Sequence, residues 1–256
     1  MNILEKLTKI KSVLLDILFP PICLSCKSYL PGTAASPKAG EPRPAFAGRE
    51  KDNKICKKCL ESIQIYSSFF CPKCKSRVPD AEKSCHKEIK FLLAPAADYQ
   101  NQTVKNLVWF LKYHKWQSLT NILEPIINNY LDILDCDFED FIVIPVPLHP
   151  DRLKERGFNQ SELIAEIFSR KTKTILELNN LKRVKATKTQ AELKNINERI
   201  KNIENCFALN NPKEIENKNI VLVDDVFTTG STMNEAVKIL KQAGAKKIIA
   251  FVFAKA

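Results

Sequence analysis

No stretch of this 256-residue sequence is apolar for long enough to cross a bilayer. It also lacks a secretory signal. Residues 1–19 place Ile3, Leu4, Leu7, Ile10, Val13, Leu14, Ile17 and Leu18 at helical spacing among charges, which predicts an amphipathic helix docked on the rest of the protein rather than a cleaved leader. Together these absences exclude a spanning segment, predict a cytoplasmic protein and disfavour a disulfide framework. Acidic residues are in deficit, 29 against 40 basic ones, for a net charge of +11. That balance favours polyanionic partners such as nucleic acid, a phosphorylated substrate or an anionic surface. Glycine is scarce: three of the six fall in residues 31–50, with four of the fourteen prolines and a run of alanines. Little in that stretch can join a core, so it reads as a disordered inserted loop.

Cysteine, by contrast, is plentiful and clustered. Seven of nine lie between residues 23 and 85, as Cys23-x-x-Cys26, Cys56-x-x-Cys59, Cys71-x-x-Cys74 and then Cys85. Thiolates two residues apart sit on one side of a tight turn, and two such turns close a tetrahedral zinc site with no position left open for catalysis. The simplest structural zinc is held by Cys23, Cys26, Cys56 and Cys59. A second needs Cys71, Cys74, Cys85 and one further ligand, for which His86 and Glu88 are both candidates.

Near the other end, Ile220 to Val223 read as a strand buried on both faces and ending at Asp224 and Asp225. The turn Thr228-Thr229-Gly230-Ser231-Thr232 follows. Beyond it Met233, Ala236, Val237 and Leu240 recur at helical spacing up to a capping Gly244. Amides and hydroxyls at a helix start suit a phosphate monoester. The paired carboxylates suit a vicinal diol, with a divalent cation moderating their charge. Phosphate beside diol describes a 5-phosphoribosyl group.

Between these regions the sequence predicts a strand over residues 91–99 and helices over 102–113 and 117–133. A strand over 141–146 follows, then a loop bearing Arg152, Arg156 and Gly157 that suits a pyrophosphate. Lys182 to Lys201 carries seven basic and two acidic residues; Leu193, Ile196 and Ile200 at helical spacing support a helix in its second half, and its donor-rich first half, with Arg183, reads as the ligand-facing part. Trp109, Tyr113, His114, Lys115 and Trp116 mix aromatic and basic side chains. They read first as helix packing and second as a platform for bases.

The stretch from Ile220 to Thr232 resembles the phosphoribosyl pyrophosphate (PRPP) motif of type I phosphoribosyltransferases. From about Cys23 to the C-terminus, omitting residues 31–50, the chain is similar to the ComF/GntX family. The likeness is carried by the paired cysteines, Leu111-Lys112-Tyr113, Pro145-Val-Pro147, Arg152, and Arg156-Gly157-Phe158-Asn159-Gln160. It continues in Arg183, Thr189-Gln190, Leu193, Glu198-Arg199, Asn202 and Phe207. The resemblance implies an α/β fold, with an open, mostly parallel sheet over residues 91–256 and a zinc-ribbon module over 20–90. It also implies PRPP and its Mg²⁺ as ligands, single-stranded DNA and the DNA-uptake machinery as partners, and a role in natural transformation. The alternative is an active Mg²⁺-dependent phosphoribosyltransferase with Asp224 and Asp225 as its catalytic carboxylates. No residue stands out as the reader of an acceptor base.

Overall fold

The computed structural model describes residues 22–30, 54–81, 85–113, 119–134, 136–185 and 203–256. The helix expected over 1–19, the insert at 31–50, the aromatic and basic residues 114–116 and the segment from 186 to 202 lie outside the described residues. Contacts divide the chain after Ile63 into two compact units. In the first, an antiparallel bridge between Ile22 and Tyr29 closes the turn of residues 23–28, and Cys56 caps the short helix α1 (Lys57–Glu61).

The second unit, Gln64–Ala256, is organised by its strands. They are β1 (Phe69–Phe70), β2 (Arg77–Val78), β3 (Leu92–Asp98), β4 (Phe141–Pro145), β5 (Ile175–Leu176), β6 (Leu181–Arg183), β7 (Phe207–Leu209), β8 (Asn219–Phe227) and β9 (Lys247–Lys255). Seven form one sheet in the order β2-β1-β3-β9-β8-β4-β5, while β6 and β7 pair separately. From β3 to β5 every neighbour is parallel; the β1–β2 hairpin adds an antiparallel edge. This is an open, mostly parallel α/β sheet, as expected from the sequence.

Its central strands are apolar along their length because both faces are covered. Ile220 to Val223 in β8 and Ile249 to Ala254 in β9 are fully buried. The helices are α2 (Gln102–Tyr113), α3 (Thr120–Leu134), α4 (Pro150–Arg156), α5 (Gln160–Thr172) and α6 (Ser231–Gln242). Each long one buries a stripe at helical spacing, as with Val104, Leu107, Val108 and Leu111 in α2. Gly244, at φ +88°, ends α6: the Ala245 N–H reaches back to the Leu240 carbonyl.

From β4 the chain winds outward to β5, whereas from β8 it winds the other way to β9. The direction of winding therefore reverses between β4 and β8. A crevice opens at the carboxyl ends of strands where such a reversal occurs.

Candidate functional site

The two aspartates lie at that reversal. The sequence places them at the end of their strand; instead β8 continues to Phe227, paired with β9 as far as Lys255. Only its pairing with β4 stops at Val223, opposite Pro145. The long partner β9 keeps the strand extended, and the loss of β4 frees one flank. Asp224 Oδ1 accepts hydrogen bonds from Ser161 Oγ at 2.9 Å and from the Asp225 N–H at 2.8 Å. Asp225, 8% exposed, holds Lys112 Nζ at 3.0 Å from its Oδ2.

Burial, and then the charge of Asp225, push the Asp224 pKa up to about 7, against the opposing pull of its two hydrogen bonds and of Lys112. Burial acts to lower the Lys112 pKa, but the charge and hydrogen bond of Asp225 outweigh it and hold it above its ordinary value.

After β8, Gly230 adopts φ +78° at the start of α6. A Cβ there would stand 2.6 Å from Phe227 Cζ, so both the backbone conformation and the space call for glycine. Thr229 Oγ1 and Ser231 Oγ are 2.9 Å apart. Thr228, Gly230, Ser231 and Thr232 line a small hollow next to Asp224, whereas Thr229 does not. Gly230→Val is expected to destabilise the fold by about 1–3 kcal/mol through backbone strain alone, with a further cost for displacing the Phe227 ring. A melting temperature within a degree of wild type would contradict this.

Arg152 and Arg156 do not sit in a loop. They belong to α4, which starts with Pro150 behind a His149 cap and ends at Gly157, φ 82°. Proline at the first helical position and a left-handed glycine at the end explain why seven residues suffice. Gly157 is thus a helix stop, and it does not line the pocket. Asn159 caps α5: its Oδ1 accepts from the Ser161 N–H at 3.1 Å, and its Nδ2 donates to the Val146 carbonyl at 3.1 Å. That pair of bonds ties α5 to the end of β4 and brings Ser161 to Asp224. Arg183 ends β6 with its guanidinium 5.5 Å from the centre of the Phe207 ring.

These elements converge on one pocket of about 210 Å³. Asp224 and Asp225 come to it from β8, Thr228 from the loop that follows and Thr232 from the start of α6; Arg152, Arg156 and Arg183 come from α4 and β6. Lys112, Gln160 and Ser161 also line it, and the sequence reading gave none of these three a role. Their signal was present in Leu111-Lys112-Tyr113 and in the run ending at Gln160, but no spacing rule says which strand end a lysine or serine will reach. Trp109 and Tyr113, read first as packing residues, are 51% and 63% exposed with ring centres 5.6 Å apart.

Both cysteine groups assemble. Cys23, Cys26, Cys56 and Cys59 form one cluster, and Cys71, Cys74, Cys85 and His86 the other; within each, one ligand atom per residue lies within 4.8 Å of all the rest. Either could hold a metal such as zinc. Glu88 is instead paired with Lys73. The turns at 23–28 and 71–76 both read Cys-x-x-Cys-Lys-Ser. In both, the first cysteine N–H bonds the serine carbonyl and the lysine, at positive φ, bonds the first cysteine carbonyl. The serine hydroxyl draws the second thiol, Cys26 or Cys74, down to about 6, which favours the thiolate a metal needs.

Comparison with known proteins gives a consistent picture. The phosphoribosyl transferase domain family matches residues 160–256. Competence protein F of Haemophilus influenzae is 43% identical over 116 residues, 44% of this chain and 50% of that protein. The chain thus spans half the length of that relative. Competence protein ComFC of Bacillus subtilis is 26% identical over 75% of this chain and 80% of its own length. The DNA utilization protein YhgH of Escherichia coli is 28% identical over 77% and 82% respectively.

Proposed function

Since this chain belongs to the ComF family and carries its phosphoribosyltransferase-like fold, we propose that it binds PRPP with Mg²⁺, and single-stranded DNA, in the service of DNA uptake. The observation that carries the reading is the meeting of a carboxylate pair with three arginines around one pocket at the reversal of the sheet. Asp224 and Asp225 accept the ribose hydroxyls, and Thr228, Gly230, Ser231 and Thr232 donate to the 5-phosphate. Arg152, Arg156 and Arg183 face the pyrophosphate, where planar guanidinium forks match phosphate oxygens. Ser161 and Lys112 hold the carboxylates in place. Two adjacent carboxylates share one lysine, and burial, then the charge of Asp225, raises the Asp224 pKa. That donor set fits a divalent cation arriving with PRPP, which would screen the charge of the leaving group. Zinc at the cysteine clusters has a scaffolding role.

Isothermal titration of the purified protein with PRPP, with and without Mg²⁺, tests the ligand; no heat under either condition removes it. The exposed Trp109 and Tyr113, with the Arg156 guanidinium 6.0 Å from the Tyr113 ring centre, favour the DNA component. Affinity for a single strand should fall steeply as salt rises, and absence of binding at low salt would strike DNA from the reading.

The match of residues 160–256 to a transferase domain also favours turnover. In that reading the same carboxylates hold the ribose while pyrophosphate departs, and acceptor-dependent release of pyrophosphate is the deciding assay. A pH signature accompanies either reading. Asp224 ionises near pH 7, so PRPP affinity should climb from pH 6 to 8 more steeply in wild type than in Asp224→Asn. The ligand's own ionisation contributes to both alike, and parallel curves would remove Asp224 from the diol.

A further inference from the structure

We infer that Gln160 is a ligand-contacting residue of the same pocket, its amide Nε2 donating to an oxygen of a pyrophosphate-class anion. This rests on the reading that the pocket takes PRPP. Gln160 opens α5 one residue after the Asn159 cap, is 2% exposed and lines the pocket. Arg156 Nη1 donates to its Oε1 at 3.0 Å. A guanidinium can only donate, so this bond settles the orientation of the amide and leaves Nε2 with its two N–H groups. Nε2 has no acceptor and almost no surface open to solvent, so a small turn of the amide presents it to an anion in the pocket.

An orphaned buried donor is costly, and folded proteins keep few of them. None of the pocket's own acceptors, which include the second oxygens of Asp224 and Asp225 and the hydroxyls of Thr228 and Thr232, bonds Nε2. Lys112, Arg152 and Arg183 carry donors only. Asp224 Oδ1 already accepts from Ser161 and from the Asp225 amide, and Asp225 Oδ2 holds Lys112. A ligand rich in acceptors and free of donors is what the arrangement lacks, and a pyrophosphate is such a ligand. A neutral amide beside Arg156 adds a contact to it without adding charge.

The test uses the full chain and three probes: PRPP, inorganic pyrophosphate and ribose 5-phosphate. Gln160→Met keeps the length of the side chain and removes the donor together with the acceptor of the Arg156 bond, so a variant that keeps that acceptor serves as its control. It should weaken PRPP and pyrophosphate about five- to thirtyfold and leave ribose 5-phosphate within about twofold. The melting temperature of the free protein should change little, because removal of the orphan offsets loss of the Arg156 bond. Gln160→Glu, which keeps an acceptor for Arg156 but turns a negative oxygen on the anion, should weaken pyrophosphate further. Unchanged pyrophosphate affinity in Gln160→Met overturns the inference, as does equal loss of all three probes with a lowered melting temperature. If wild type fails to bind PRPP, the reading of the pocket fails, and pyrophosphate alone decides this residue: weaker binding in Gln160→Met sustains it, and no binding by wild type ends it.

Discussion

Replacing Cys56 and Cys59 together by serine is expected to lower the zinc content from two ions per chain to one. The first cluster would keep only Cys23 and Cys26, and two thiolates cannot close a tetrahedral site. Binding at a structural zinc is worth about 10–16 kcal/mol in small modules, and most of that is folding free energy. The unit Met1–Ile63 should therefore become sensitive to protease at concentrations the wild type resists. No residue assigned to PRPP lies in that unit, so PRPP titration should be unaffected. Metal analysis finding two zinc ions in the variant, or none in wild type purified without chelator, would contradict the assignment.

Asp225→Asn should reduce PRPP affinity roughly ten- to a hundredfold, the cost of losing a hydrogen bond to a charged acceptor, about 1.5–3 kcal/mol. The fold should tolerate the change, because the amide oxygen can still accept from Lys112, 3.0 Å away in the native protein, and the charge of Asp224 still acts on that lysine. Lys112→Met provides the contrast. It leaves Asp225 buried without its counter-charge, which costs about 3–5 kcal/mol of stability. Calorimetry on both variants separates the two effects: the first should lose ligand while keeping its melting temperature, and the second should lose both. An Asp225→Asn protein with wild-type affinity would place the sugar elsewhere.

The sequence by itself determined whatever depends on short-range pattern. Four apolar residues before Asp224 specify a doubly buried strand, and the stripe of Val104, Leu107, Val108 and Leu111 specifies a helix. The paired cysteines specify metal-binding turns, because the geometry of two thiolates two residues apart is local. The Asp-Asp and Thr-Thr-Gly-Ser-Thr run was legible for the same reason, since one strand and one helix start carry all of it. Even the repeated Cys-x-x-Cys-Lys-Ser turn was there to be read.

Tertiary structure decided what comes from afar. Lys112 reaches Asp225 across more than a hundred residues, and Ser161 reaches Asp224 across 63; no periodicity within α2 or α5 announces either partner. His86 rather than Glu88 joins the second cluster because Glu88 is drawn to Lys73. Arg152 and Arg156 ride on a helix that proline and glycine delimit, although their place just after a strand reads as a loop. The strand carrying the aspartates outruns its local signal because β9 lies alongside it to the end. Above all, the pocket exists because the chain winds in opposite directions from β4 and β8. That choice is made by the packing of whole layers, and no window of the sequence is long enough to contain it.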